Sequence, residues 1–221
     1  NIILTIVVPC YNAEHYIDDC LRSISSNKHK NVEFILVDGG SKDNTMLKVN
    51  KYSDCFSHII SESDLGQSDA INKGLLLSRG SYFGWLNSDD YYENHIMDQI
   101  ITEISNASGK IVSFGCRFFS NDEQSNYTLV PKNINYNNVL PFWKRSFKWA
   151  QPATFFPQIY LGSSVNLNYH LAMDYDLLLR SLAKTGPALL FSKVVVHFRV
   201  HTEAKTAALG YKIAEEVPEI I

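Results

Sequence analysis

Two adjacent carboxylates follow a buried apolar run. In the stretch WLNSDDYYEN, residues 85–94, Asp89 and Asp90 come directly after Asn87 and Ser88. Neighbouring carboxylates in a partly dry site stay ionised only when a cation or strong hydrogen-bond donors compensate their charge. Such oxygen ligands suit Mg²⁺ or Mn²⁺, which commonly take one or two protein carboxylates together with substrate phosphates. The alternative is a solvated turn, because Asn, Ser and Asp all favour turns.

Two other apolar runs also end in polar clusters. One is followed by DGGS at 38–41, where glycines allow a ligand to approach the backbone, or simply form a tight strand–helix turn. The other ends in PCYN at 9–12, which is neither the G-x-G-x-x-G of a Rossmann dinucleotide site nor a Walker phosphate loop. Neither of those two phosphate-binding motifs is therefore indicated.

Three further places carry residues that could do chemistry. Asp69 and Lys73 lie four apart on one helical face, either as an exposed pair or with Lys73 reaching a phosphate. Asp174 and Asp176 begin an apolar-periodic helix, where carboxylates gain from the helix dipole. Asp174 could equally be a general base beside a reacting hydroxyl. His201, just past the last predicted strand, is either structural or completes a metal site.

The elements that must position these residues alternate along the first 90 positions. Short runs rich in β-branched residues alternate with amphipathic stretches, and the first helix has Asn12 as its predicted N-cap. The predicted strands are 2–8, 32–37, 58–61 and 82–86, and the predicted helices are 13–26, 43–52 and 68–78. This alternation predicts a mostly parallel sheet flanked by helices, with ligands bound beyond the carboxyl ends of its strands. The polar clusters fall at three such ends.

The second half of the chain is less regular. The predicted helices are 94–104 and 169–183, and the predicted strands are 110–119 and 193–200. With no internal repeat and no linker, we expect residues 1–221 to form one domain. Residues 140–149 (LPFWKRSFKW) mix four aromatic residues with Lys144, Arg145 and Lys148. Such interleaving suits contact with a membrane surface, the alternative being packing beside a ligand with solvated charges.

Composition narrows the class of protein. Of 221 residues, 45% are apolar and 19% charged, as expected for a folded protein, and the net charge of -3 argues against a nucleic-acid partner. The four cysteines form no CxxC pair, which predicts buried free thiols in a reducing compartment. No apolar run approaches the ~20 residues of a membrane span, and no signal peptide is visible. These features predict a cytoplasmic protein, or one at the inner face of a membrane.

Six segments together resemble inverting glycosyltransferase family 2, whose fold is called GT-A. The matching segments occur in the family's order: TIVVPCYN (5–12), VDGGSKDNT (37–45), GQSDAINKG (66–74), WLNSDD (85–90), MDYDL (173–177) and FRVH (198–201). Each is weak alone, but their shared order over residues 5–201 is specific. The resemblance implies a GT-A catalytic domain with a nucleotide-binding half, 1–90, and an acceptor-side half, 91–221.

The resemblance also implies roles for individual residues. Asp174 matches the catalytic base. A Mn²⁺ or Mg²⁺ ion bridging the donor's diphosphate would be held by Asp89, with Asp90 close by and His201 approaching from the C-terminal segment. The implied nucleotide-binding residues are Pro9, Tyr11, Asn12, Asp38, Gly66, Asp69, Lys73 and Ser88. By position alone, Trp149 and Gln151 are expected on the acceptor side.

The implied activity is metal-dependent transfer of a sugar, with inversion, from a nucleotide-sugar donor to a hydroxyl of a saccharide or lipid-linked acceptor. A UDP-sugar is the favoured donor, and bacterial surface polysaccharide or glycolipid synthesis the favoured setting. Two departures from the family pattern stand out: Asn87 replaces the first Asp of a D-x-D motif, and Gly39 replaces a frequent second Asp, which bears on base selectivity.

Two other functions stay open at this point. A sugar nucleotidyltransferase shares the architecture, but would need a Gly-rich basic loop after the first strand. A non-catalytic nucleotide-sugar or carbohydrate-binding module would be expected to lack the base or the aspartate pair, and both Asp174 and Asp89–Asp90 are present.

Overall fold

The first half of the chain builds the parallel part of a sheet, with helices between its strands. The computed structural model describes residues 1–120, 126–144, 146–160, 165–202 and 213–221. Its first four strands are β1 (Leu4–Cys10), β2 (Val32–Asp38), β3 (His58–Ser61) and β4 (Tyr82–Trp85). The intervening helices are α1 (Ile17–Ser26), α2 (Thr45–Val49), continued by a 3-10 helix over Asn50–Cys55, and α3 (Gln67–Leu76). Every residue of β1 and β2 is buried, as their continuous apolar sequences predict.

The register of these strands brings their carboxyl ends to one edge of the sheet. The four strands are parallel and ordered β3-β2-β1-β4. Cys10 pairs with Asp38, and Asp38 pairs with Ser61, so that three strand ends lie side by side. The strand β4, paired with β1, ends at the same edge. The polar clusters predicted from three separate strand ends are therefore neighbours.

The second half extends this sheet with strands of both directions. Its strands are β5 (Tyr91–Tyr92), β6 (Val112–Phe119), β7 (Tyr127–Leu129), β8 (Thr154–Pro157) and β9 (Leu189–Arg199). Its helices are α4 (Met97–Ser105), α5 (Tyr136–Val139), α6 (Met173–Thr185) and α7 (Ile213–Ile220). The pair β6–β9 is parallel, whereas β4–β8, β8–β6, β6–β7 and β5–β9 are antiparallel. The sheet is thus parallel from β1 to β4 and mixed beyond, so the expected mostly parallel sheet describes the first half only.

Two apolar cores cover the two faces of the sheet. Alternate residues of β1 point to opposite faces, so that Ile6 lies in one core and Val7 in the other. Both cores draw on both halves of the chain: Phe34 shares a core with Phe114, and Val7 shares one with Leu178. The four cysteines are free thiols, and three of them are buried. The two halves are thus packed around common cores.

The start of α1 differs from the prediction. The helix begins at Ile17 rather than at residue 13, and Asn12 is not its N-cap. Asn12 has a positive φ of 47°, and its Oδ1 accepts a hydrogen bond from the Lys42 backbone N–H at 2.9 Å. The side chain of Asn12 therefore ties the end of β1 to the loop after β2 instead of starting a helix.

The described helices are short. The longest, α6, has 13 residues, whereas a helix crossing a bilayer needs about 20. Within the ranges that the structure describes, no helix combines the length and the apolar composition required to span a membrane.

Candidate active site

One large cavity opens at the carboxyl edge of the parallel strands. Its volume is about 1150 Å³, and its wall includes residues that follow β1 and β4 and residues at the start of α6. Ten of the predicted site residues line it: Pro9, Tyr11, Asn12, Gly66, Ser88, Asp89, Trp149, Gln151, Asp174 and His201. Gly39 of the second motif also lines the cavity, so residues from all six motifs meet at one place.

Asp38 is predicted to bind nucleotide, but its carboxylate is fully buried and bonded within the chain. Ser61 Oγ donates to Asp38 Oδ2 at 2.7 Å, and the backbone N–H groups of Gly40 and Ser41 donate at 3.2 and 3.1 Å. The Ser41 hydroxyl donates to Oδ1. Asp38 therefore fixes the conformation of the loop after β2 and does not line the cavity.

Asp90 also turns into the protein rather than toward the cavity. It is 1% exposed, and its Oδ1 accepts from the Arg199 backbone N–H at 2.9 Å while Oδ2 accepts from Asn87 Nδ2 at 3.3 Å. Burial, and then the charge of Asp89, raise the pKa of Asp90 well above its ordinary value. Of the two adjacent aspartates, only Asp89 reaches the cavity, and Asp90 anchors the loop to β9.

Asp89 and His201 form a pair at the cavity wall. His201 Nε2 lies 2.9 Å from Asp89 Oδ2, and the imidazole packs against Tyr16 with 4.3 Å between ring centroids. His201 Nδ1 is buried and has no hydrogen-bond partner in the described part of the chain. Among the described residues, no three His, Cys, Asp or Glu side chains form a ready metal site. Two protein ligands nevertheless fit Mg²⁺ or Mn²⁺, which complete their coordination with phosphate and water oxygens.

Arg199 compensates the negative charge around the Asp89–Asp90 turn. Its Nε donates to the Asp89 carbonyl at 3.1 Å, and its guanidinium pairs with Asp19 of α1. The same guanidinium lies 4.7 Å from the Phe119 ring centroid. Arg199 lies in the FRVH motif, two residues before His201, and this role is not among those predicted from the sequence.

The start of α6 places Asp174 at the cavity. Asp174 is half-buried in the first turn, and its Oδ1 accepts from the Tyr175 backbone N–H at 2.7 Å. The α6 dipole favours its ionised form. A carboxylate in this setting can accept a proton from a ligand bound in the cavity.

Glu216 of α7 holds the segment just before Asp174. Its carboxylate accepts from three successive backbone N–H groups, those of His170, Leu171 and Ala172, at 2.9, 2.9 and 2.8 Å. Burial alone would raise the pKa of Glu216, but these three donors outweigh it, and the pKa lies below its ordinary value of 4.5. No local sequence pattern links residues 170–172 to residue 216, so this contact was not predicted.

Lys73 and Asp69 lie outside the cavity wall. Lys73 Nζ is 2.8 Å from Glu62 Oε1, 3.2 Å from the Ser63 carbonyl and 3.6 Å from Asp69 Oδ2. The spacing allowed either an ion pair or a lysine that reaches a phosphate, and the structure shows Lys73 paired with Glu62 and Asp69.

The acceptor-side candidates are held by hydrogen bonds of their own. Trp149 Nε1 donates to Thr154 Oγ1 at 2.9 Å, and Gln151 Nε2 donates to the Trp85 carbonyl at 3.0 Å. Both residues line the cavity together with Lys148. In the aromatic and basic segment 140–149, Trp143 is 66% exposed, and Arg145 lies outside the described residues.

Comparisons with known proteins agree with this geometry. A family model described as "Glycosyl transferase family 2" matches residues 5–171. An uncharacterized glycosyltransferase of Rickettsia typhi is 28% identical over 225 residues, covering 97% of this chain and 69% of that protein. The uncharacterized glycosyltransferase EpsJ of Bacillus subtilis is 30% identical over 140 residues, covering 62% of this chain and 40% of that protein.

The name of a third relative states the reaction that it catalyses. The UDP-Glc:alpha-D-GlcNAc-diphosphoundecaprenol beta-1,3-glucosyltransferase WfgD of Escherichia coli is 29% identical over 142 residues, covering 62% of this chain and 55% of that protein. This chain therefore spans 40% to 69% of the length of these three relatives.

Solved structures match the fold over almost the whole chain. S. aureus TarS 1-349 in complex with UDP-GlcNAc gives a TM-score of 0.76 at 16% identity, over 99% of this chain and 64% of that one. The mannosyltransferase PcManGT from Pyrobaculum calidifontis, in complex with GDP-Man and Mn²⁺, gives 0.67 at 16% identity, over 93% and 59%. By its motifs, its cavity and these matches, the chain belongs to glycosyltransferase family 2 and has the GT-A fold.

Proposed function

We propose that this chain is the catalytic part of a metal-dependent inverting glycosyltransferase that moves a sugar from a UDP-sugar to an acceptor hydroxyl. The observation that carries the proposal is that Asp174 and the Asp89–His201 pair line the same cavity. One site can thereby hold a donor's diphosphate near Asp89 and an acceptor hydroxyl near Asp174. The relative that acts with UDP-Glc and the similar structure that holds UDP-GlcNAc support a UDP-sugar as donor.

The donor side of the site is the half that contains β1 to β4. Pro9, Tyr11 and Ser88 line the cavity there, and Asp89 with His201 would hold a divalent cation. When bound, such a cation neutralises the charge that grows on a departing diphosphate. Arg199 keeps Asp89 in place, because it donates hydrogen bonds to the buried Asp90 carboxylate and to the Asp89 carbonyl.

The transfer step needs one base. Asp174 would take the proton of the acceptor hydroxyl while its oxygen attacks the anomeric carbon of the donor sugar. The bond from that carbon to the phosphate oxygen breaks, and the nucleoside diphosphate leaves with the electron pair. Because the attack comes from the face opposite the leaving group, a single displacement inverts the configuration.

The acceptor is proposed to be a saccharide carried on a lipid, in bacterial polysaccharide synthesis. WfgD acts on a diphosphoundecaprenol-linked sugar, as its name states. Next to the cavity, the segment Phe142–Lys144 presents an exposed Trp143 beside Lys144. An aromatic and a basic side chain together suit an anionic membrane surface.

Release of UDP tests the proposal directly. A panel of nucleotide sugars is screened with Mn²⁺ by thermal shift, and those that bind are assayed for UDP release with saccharide and lipid-linked acceptors. We expect release with a UDP-sugar, and little release from Asp89→Asn or after EDTA. Asp98→Asn serves as the matched control, since Asp98 is an exposed carboxylate on α4. Binding without any turnover would instead favour a non-catalytic module.

A further inference from the structure

A glycine at the end of β2 makes room for a carboxylate from another loop. A Cβ added to Gly39 would lie 2.7 Å from Asp64 Oδ2 and 3.0 Å from its Cγ. Any larger side chain at position 39 would therefore displace the Asp64 carboxylate. Both residues line the cavity, so Asp64 occupies the wall where β2 ends.

One oxygen of Asp64 is fixed and the other is available. Oδ1 accepts from the Gly66 backbone N–H at 2.8 Å, which orients the side chain. Oδ2 lies over Gly39 and receives no hydrogen bond from the part of the chain that the structure describes. Asp38, the carboxylate that precedes Gly39 in the sequence, is buried and bonded to Ser61. Asp64 is thus the carboxylate that faces a ligand at this end of the cavity.

We propose that Asp64 selects the donor's base, accepting a hydrogen bond from the ring N–H of uracil and rejecting cytosine. This inference rests on the proposed function, since it assumes that a nucleotide binds beside Pro9 and Tyr11. An ionised carboxylate only accepts hydrogen bonds. Uracil carries a hydrogen on N3, whereas N3 of cytosine carries a lone pair, which would leave two acceptors facing each other. Gly39 and Asp64 act together, because the glycine admits the carboxylate.

Calorimetric titration with UDP and with CDP, each with Mn²⁺, measures this selection without any transfer step. For the unaltered protein we expect UDP to bind at least about tenfold more tightly than CDP, as losing a hydrogen bond to a charged group implies. Asp64→Asn should lose most of this ratio, because the amide of Asn can donate to N3 of cytosine. Gly39→Ala should lower the ratio in the same direction by pushing the carboxylate aside. This second variant keeps the inference testable if the first does not fold.

The matched control is Glu62→Gln, which removes a charge from the same loop but outside the cavity, where Glu62 pairs with Lys73. Its ratio of UDP to CDP affinity should stay unchanged. An unchanged ratio in folded Asp64→Asn or Gly39→Ala would overturn the assignment of Asp64 and leave the proposed function standing. Failure of the unaltered protein to bind any nucleoside diphosphate would overturn both.

Discussion

Two parts of the cavity wall are held by the same kind of bond at very different sequence distances. In the β2 loop, Asp38 accepts from backbone N–H groups two and three residues further along. At the start of α6, the acceptor for three backbone N–H groups is Glu216, which lies 44 to 46 residues away. In both places a carboxylate satisfies donors that would otherwise be unpaired. The wall beside β2 is therefore fixed by its own loop and by Ser61 of the adjacent strand, whereas the wall that carries Asp174 depends on the last described helix.

The largest effect is expected on sugar transfer, when Asp174 at the start of α6 is replaced. Asp174→Asn should lower transfer by about 10²- to 10⁴-fold, the range that a general base supplies, and should leave UDP affinity unchanged. UDP release and calorimetric binding measure the two properties separately. Full transfer by this variant would show that Asp174 is not the base. The two walls of the cavity would then no longer differ in catalytic role.

Asp38→Asn should cost the most stability, because it disturbs a fully buried acceptor with several donors. We expect a loss of about 3 kcal/mol in the free energy of unfolding, measured with urea. The ratio of UDP to CDP affinity should not change, since the Asp38 carboxylate is bonded within the chain. A changed ratio with unchanged stability would mean that Asp38, rather than Asp64, contacts the base.

Glu216→Gln should affect catalysis and leave nucleotide binding unchanged. Replacing a charged acceptor of three N–H groups should cost about 2 kcal/mol of unfolding free energy. Because the bonds of Glu216 hold the segment before Asp174, kcat should fall while UDP affinity stays the same. The control is Glu215→Gln, which alters the exposed neighbour on α7. Equal effects of the two variants would show that Glu216 has no special role.

The smallest predicted effect is a pH dependence. The pKa of Glu216 in the folded protein lies below its ordinary value of 4.5, so folding favours the ionised carboxylate. Its contribution to stability is therefore complete above pH 4.5 and is lost as the pH falls through the lowered pKa. The stability gap between the unaltered protein and Glu216→Gln should narrow below pH 4.5 in urea titrations. A gap that stays constant down to pH 3 would contradict this linkage.

Much of the half that contains β1 to β4 could be predicted from the sequence because its signals are local. The apolar runs of β1 and β2 identify buried strands, and the polar residues after them mark one edge of a parallel sheet. The order of six motifs correctly gave the family and the fold. The roles assigned to Asp89, Asp174 and His201 stay predictions, although the structure brings all three to one cavity.

The remaining features depend on contacts that no local pattern encodes. The strand β8 was missed because its four residues are all buried, which removes the alternation of a half-exposed strand, and because Pro152 precedes it and Pro157 is its last residue. Asp89 and Asp90 are adjacent and chemically identical, and Asp90 is held inward by hydrogen bonds from the Arg199 backbone N–H and from Asn87 Nδ2, of which the first comes from a distant strand. The Asp64 carboxylate lies over Gly39 only because the fold brings the loops after β2 and β3 together.

The bond between Glu216 and the start of α6 also has a consequence for how the protein is made. A chain emerging from the ribosome completes β1 to β4 and the bond from Ser61 to Asp38 early, because all these residues precede position 90. The donors at residues 170–172 must wait for α7, which is synthesised more than 40 residues later. A nascent chain can therefore form the wall of the cavity beside β1 and β2 while the wall that carries Asp174 is still incomplete, and the cavity takes its full shape only after α7 has docked.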